Sequence, residues 1–250
     1  MSSQTFKKLK ETLKSESGPD LESGNPYNRD FKYLDFHRDR LEKLFGLLEE
    51  YYIPGSTMLD IGSLFGYACL GAKLIGYQAS GLDLPQYVEK FSSRFASWGI
   101  DNRPCDLSCE AMPFSDAAFD IIIAAEIVEH FRFHPLSFFQ EAARVLKPGG
   151  RLIITTPNLT RFNNVAKLIL GQSINWDIKD EYWDGAHQRE FTTAELKYLA
   201  GTAGLETEAI RYEDFDYPDL GKITKLANKI IGTILPSRRR NIVIILRRSI

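Results

Sequence analysis

Cysteine is scarce: the 250-residue chain holds three, Cys69, Cys105 and Cys109. An odd number cannot pair completely, so a disulfide framework does not organise the fold. Cys105 and Cys109 lack the second pair that a cysteine-built zinc site needs, and no metal is expected. Cys69 falls on the apolar face of a predicted helix, where a reduced thiol serves as packing. Long apolar runs are missing too. Nothing approaches a membrane span and the polar start "MSSQTFKKLKETLKSESG" has no leader-like apolar stretch, so the expectation is cytoplasmic. Charge of one sign is not in excess. A net charge of -2 gives no drive toward nucleic acid, and none of the nucleic-acid modules is recognisable, so no specific nucleic acid is expected.

What is present reads as one α/β domain. Residues 1–30, with "SESGPDLESGNP", are dense in turn formers and predict a flexible arm with one short helix at its start. Over 31–52, Leu34, Leu41, Leu44, Phe45 and Leu48 recur at helical spacing, and Pro54 and Gly55 end the helix. Short apolar strands then follow at 57–61, 78–82, 102–105, 120–124 and 151–155, alternating with turns or helices such as 136–146. That alternation predicts right-handed crossovers and a parallel sheet, doubly wound with helices on both faces. Residues 158–190 form a long aromatic and polar insertion, read as a lid or substrate-binding element within a single domain over 31–250. A helix starting at Thr192 or Thr193, a strand at 206–212, a basic helical stretch at 222–234 and the buried strand "NIVIIL" complete the pattern.

Between the first two strands runs "DIGSLFG". Gly62 and Gly66 allow a sharp bend, and the free amides of the next helix lie beside it. Asp83 ends the second strand, where an acid can accept both hydroxyls of a ribose. The glycine spacing does not match the G-x-G-x-x-G of a dinucleotide site, which disfavours a nicotinamide-dependent reductase. A nucleoside with an amino-acid tail carries no phosphate and needs an acid for its ammonium, which Asp60 supplies.

Asp60, Gly62 and Gly66 together with "GLD", "CDL", "FDIIIAAEIVEHF" and "ARVLKPGGRLIITTPN", in that order from about residue 56 to 156, resemble the class I S-adenosylmethionine-dependent methyltransferases. Their first motif is D/E-x-G-x-G-x-G, and Leu64 stands here at the middle glycine. The resemblance implies a seven-stranded, mostly parallel sheet of order 3-2-1-4-5-7-6 with the last strand antiparallel. It also implies S-adenosylmethionine as cofactor. Asp60, Gly62, Ser63, Leu64 and Gly66 would hold its methionine part, Asp83 and Leu84 its ribose, and Asp106 and Leu107 its adenine. Glu126 would line the cofactor tail or the substrate mouth. Strand-end capping is the competing explanation for Asp83 and Asp106, and turn capping for Glu126.

Methyl transfer from a sulfonium is an in-line displacement in which alignment and exclusion of water matter most. A hydroxyl acceptor gains from a base, and of the four histidines His130 and His187 are the candidates. Each has a structural alternative, packing for His130 and a hydrogen bond to Arg189 or Glu190 for His187. Phe162, Trp176, Tyr182 and Trp183 would wall an apolar pocket for a small or lipid-like acceptor, or simply bury the insertion. Lys222, Lys225, Lys229, Arg238, Arg239, Arg240, Arg247 and Arg248 predict a weak contact with an anionic surface, or a solvated face. The reading is thus a methyltransferase acting, chiefly at oxygen, on a small metabolite, lipid precursor or sugar. The alternative is a non-catalytic S-adenosylmethionine-binding regulator or partner subunit.

Overall fold

A computed structural model describes residues 2–17, 26–175, 187–216 and 221–250. Its strands are β1 (Thr57–Ile61), β2 (Gln78–Asp83), β3 (Asp101–Pro104), β4 (Phe119–Ala125), β5 (Leu146–Pro157), β6 (Leu205–Glu213) and β7 (Asn241–Arg248). They lie in the order β3-β2-β1-β4-β5-β7-β6, as the resemblance implies. By internal contacts the chain falls into two compact units, Met1–Pro104 with Phe215–Leu220, and Cys105–Asp214 with Gly221–Ile250.

In the first unit β1 and β2, and β2 and β3, pair in parallel, with Asp60 opposite Gly81 and Asp83 opposite Pro104. Around them are α1 (Ser2–Ser17), α2 (Pro26–Phe36), α3 (Arg38–Glu50), α4 (Tyr67–Ile75) and α5 (Pro85–Trp98). The apolar stripe of α3 buries Leu41, Leu44, Phe45, Leu47 and Leu48. The predicted 31–52 helix is kinked at His37, whose ring lies 4.2 Å from that of Tyr33. Burial, then the charge of Arg40, pulls the His37 pKa down to about 3, so this imidazole stays neutral. The segment 2–17, expected as part of a flexible arm, is a docked helix: Phe6, Leu9 and Leu13 form one helical stripe and are buried. Residues 18–25 of that arm lie outside the described residues.

In the second unit β4 and β5 are parallel, while β7 runs antiparallel to both β5 and β6. Its helices are α6 (Leu136–Val145), α7 (Phe162–Ile169), α8 (Thr193–Thr202) and α9 (Lys222–Ile234). From α6, Phe138, Phe139, Ala142 and Val145 are buried, as are Ile242 to Leu246 of β7. Thr192 caps α8: its hydroxyl accepts from Glu195 N at 3.2 Å and Glu195 Oε2 accepts from Thr192 N at 2.8 Å. Three of the basic residues of the C-terminal segment also bond within the fold. Arg238 donates to Thr160 O at 3.1 Å, Arg239 to Gly232 O at 3.2 Å, and Arg248 to the carbonyls of Arg144 and Leu146. No helix among the described residues is long and apolar enough to cross a membrane.

Candidate active site

In the first unit the turn 62–66 is organised by backbone and by one carboxylate. Gly62 N donates to Leu82 O at 2.8 Å and Gly66 N to Ser63 O at 2.7 Å. At the tip of β2, Asp83 accepts from Leu64 N through Oδ2 and from Leu84 N through Oδ1, both at 2.7 Å. Each carboxylate oxygen has a second acceptor site, so Asp83 can clasp the turn and still receive two hydroxyls. Ser63 Oγ donates to Asn102 Oδ1 at 2.9 Å, tying the turn to β3. Gly62, Leu64 and Gly66 all have positive φ, 74°, 40° and 79°. The leucine therefore adopts the conformation that glycine would.

Asp60 lies behind this turn, 3% exposed, with Cys69 Sγ donating to Oδ2 at 3.6 Å. Burial raises its pKa to about 7; the Asp83 charge adds to this, and the Cys69 hydrogen bond and Arg40 oppose it. Burial also raises the Asp83 pKa, against the two backbone donors. Two part-desolvated carboxylates suit a cationic ligand and repel a pyrophosphate. The residues present therefore fit an ammonium-bearing, phosphate-free nucleoside.

In the second unit Asp106 forms a turn: Oδ1 accepts from Ser108 N at 3.0 Å, and Asp106 N donates to Glu110 Oε2 at 2.7 Å. The Ser108 bonds lower its pKa. Turn formation thus accounts for the aspartate, and Leu107 follows it within the same turn. Arg144 of α6 pins the nearby loop through Met112 O and Phe114 O, both at 2.9 Å.

After β4 the chain turns at Glu126, a non-glycine residue at φ 58°. Its Oε1 accepts from Thr155 Oγ1 at 2.9 Å, and Asn241 Nδ2 lies 3.4 Å from Oε2. A 3₁₀ turn, Val128–His130, follows. Glu129 is fully buried there and accepts from Thr156 Oγ1 at 3.0 Å. Its carbonyl accepts from Gln188 N at 2.8 Å and Arg189 N at 3.1 Å, which draws the end of the insertion onto this turn. The rings of His130 and His187 consequently meet edge to face, with centroids 4.9 Å apart.

Behind His187 stands Glu190, whose Oε1 lies 3.7 Å from His187 Nδ1. Its other oxygen accepts from Arg161 at 2.6 Å and Asn164 Nδ2 at 2.8 Å. Burial pushes the Glu190 pKa up, but bonds from His187, Arg161 and Asn164 and the Arg161 charge outweigh it and hold it at about 2. Of the two partners expected for His187, Glu190 is the one beside it, at 3.7 Å, while Arg189 pairs with Glu195. Sequence reasoning did not single out Glu129 and named Glu190 only as a structural partner of His187; the available signal for Glu129 was an acid one residue before His130. Phe162 is half-exposed on α7, and Trp176, Tyr182 and Trp183 lie outside the described residues.

Residues 59–154 match the family described as a methyltransferase domain. The ubiquinone biosynthesis O-methyltransferase of Maricaulis maris is 32% identical over 130 residues, covering 51% of this chain and 50% of that protein. The chain thus spans about half the length of curated relatives it matches. An S-adenosylmethionine-dependent methyltransferase from Mesorhizobium loti shares the fold at TM-score 0.60 with 17% identity, over 84% of this chain and 98% of that one. So does the [4+2]-cyclase SpnF, at TM-score 0.58 and 18% identity over 84% and 81%. The fold alone therefore leaves the reaction open. Strand order, the ordered motifs and the family match together identify residues 59–154 as a class I S-adenosylmethionine-dependent methyltransferase domain.

Proposed function

We propose that the protein transfers a methyl group from S-adenosylmethionine to a hydroxyl oxygen of a small or lipid-like molecule. In this reading Asp83 takes the ribose hydroxyls, Asp60 and the 62–66 turn hold the methionine part, and Asp106 and Leu107 border the adenine. The cofactor supplies an electrophilic methyl on a sulfonium. The chain's own residues position it, exclude water and manage the acceptor's proton.

The observation that carries the choice of oxygen is the Glu129, His130 and His187 grouping, with Glu190 behind His187. A neutral alcohol or phenol must lose a proton as it is methylated, and a group that takes or displaces that proton is useful to it. Glu126, held by Thr155, stands three residues before Glu129 and would line the same acceptor side. The insertion 158–190 would form the rest of that side. Relatives named ubiquinone biosynthesis O-methyltransferases support oxygen as the acceptor atom and a small molecule as its bearer.

The test is transfer of a labelled methyl group to a panel of phenols, prenylated phenols, sugar hydroxyls and amines, with the product's methyl located by mass spectrometry. Label on oxygen supports the reading. Label confined to amines would refute it, and tight cofactor binding with no transfer at all would point instead to a regulator without turnover.

A further inference from the structure

Glu129, His130 and His187 each present a ligand atom, and the three atoms lie within 4.8 Å of one another. We propose that these side chains form a binding site for a divalent first-row transition ion such as Zn²⁺ or Mn²⁺, with coordination positions left open for the acceptor's oxygen. The second clause rests on the methyl-transfer reading; the first does not.

Four features converge. The donor set is two imidazoles and one carboxylate, which suits borderline ions and contrasts with the all-oxygen shells of magnesium and calcium. Donors around one such ion sit at about 2.0–2.2 Å from it, hence roughly 3–4 Å apart, so the grouping needs only a small closure. The scaffold that brings these atoms together is rigid. Glu129 is held by Thr156, and its carbonyl is clamped to the 187–189 segment by two backbone amides at 2.8 and 3.1 Å. Finally, His187 turns Nδ1 toward Glu190 at 3.7 Å, and Glu190 is itself fixed by Arg161 and Asn164. A carboxylate behind the distal nitrogen is the usual means of fixing the tautomer and orientation of a metal-binding histidine, here with Nε2 directed to the ion.

An ion with three protein ligands keeps room for substrate and acidifies an oxygen bound to it. The acceptor's O–H would lose its proton to water. The oxygen lone pair then forms the O–CH₃ bond as the C–S bond breaks, its electron pair passing to sulfur. Products are the methyl ether, S-adenosylhomocysteine and the proton in solvent. On this reading His130 and His187 hold the ion and do not themselves take the proton.

The experiment is equilibrium dialysis of the full chain, stripped with chelator, against Zn²⁺ or Mn²⁺ alone, without cofactor or acceptor. One ion per chain is expected. His130→Gln and His187→Gln should each weaken uptake at least tenfold, and Glu190→Gln, which touches no ion, by about tenfold or more. Folding is checked by thermal melting of the metal-free proteins. His130→Gln keeps the test decisive if a change nearer the core misfolds. No uptake by the wild type, or equal uptake by all four proteins, overturns the site. Undiminished methylation of a hydroxyl by chelator-stripped, metal-free enzyme overturns its catalytic use. Ion binding that is lost in the variants, with no hydroxyl methylated under any condition, would leave the site standing and remove the methyl-transfer reading.

Discussion

Asp60→Asn separates what this carboxylate does for stability from what it does for the cofactor. The pKa of Asp60 is raised from the ordinary aspartate value of 3.8 to about 7 in the folded chain, chiefly because burial disfavours its charge. A carboxylate whose folded pKa is raised favours folding fully below its unfolded value, and that contribution is lost as pH rises through the folded one. Between 3.8 and about 7 the native state holds a proton that the unfolded chain has released, so stability falls with rising pH. At about 1.4 kcal/mol per unit the loss reaches about 4 kcal/mol. His37 opposes it below 6.5: its folded pKa of about 3 makes stability rise with pH between those values. The wild-type profile therefore mixes the two, whereas the difference between wild type and Asp60→Asn isolates Asp60.

Urea unfolding at half-unit steps from pH 5 to pH 8.5 measures that difference. The asparagine is isosteric and its Oδ1 can still accept from Cys69, so packing is preserved. Relative to wild type the variant should gain stability steadily up to about pH 7 and level off above it, and above about pH 7, where wild-type Asp60 is charged, it should bind S-adenosylmethionine less well because the proposed ammonium site loses its anion. Parallel stability profiles would refute the assignment of a proton to buried Asp60. An unchanged cofactor affinity would refute its role toward the ammonium.

Three further substitutions probe other parts of the same argument. Asp83→Ala removes the proposed acceptor for two ribose hydroxyls and the clasp on Leu64 N, so calorimetric affinity for S-adenosylmethionine should fall about 100-fold or more, at roughly 1.5–3 kcal/mol per charge-assisted bond. Gly66→Ala places a methyl 2.7 Å from Trp98 Cζ3 and 2.8 Å from Phe95 Cζ at φ 79°, whereas Gly204→Ala at φ 77° meets nothing within 4 Å. Melting temperature should drop by about 5–15 °C in the first and only about 2–4 °C in the second. Glu190→Gln should destabilise the chain by roughly 2–3 kcal/mol at pH 7, an advantage of the wild type that disappears as pH falls from 4.5 through about 2 and that acid-range urea melts would follow.

Much of this architecture was legible because local signals and fold agreed. The strand 57–61 is β1 itself, bounded by Gly55 before and Gly62 after. The β5 boundary was not: Lys147 to Gly150 reads as a stop, yet the strand begins at Leu146, which pairs with Phe119 before a register shift to Ile121 and Arg151. A bulge absorbs proline and glycine without ending the pairing, and composition cannot distinguish the two outcomes. The docked N-terminal helix had its signal in the spacing of Phe6, Leu9 and Leu13, masked by the polar residues around them. At the site, the turn and Asp83 were readable because strand-tip position fixes them. The meeting of His130 with His187 was not, since it depends on backbone bonds from Gln188 and Arg189 to Glu129 across a long insertion.

Leu64 shows why a motif is better read as backbone geometry than as letters. Asp83 needs an N–H directed at it from the middle of the turn, and a left-handed residue at 64 supplies one, with Leu64 N 2.7 Å from Oδ2. Glycine reaches that conformation freely; leucine does so at a cost of about 1–2 kcal/mol. A hydrogen bond to a charged acceptor contributes about 1.5–3 kcal/mol, enough to hold the strained residue in place. The substitution thus leaves the path of the turn intact and changes only what projects from it: an isobutyl group where the family pattern has a hydrogen. In the proposed binding mode its effect falls on the shape of the cofactor's space, and not on whether the turn and Asp83 can form.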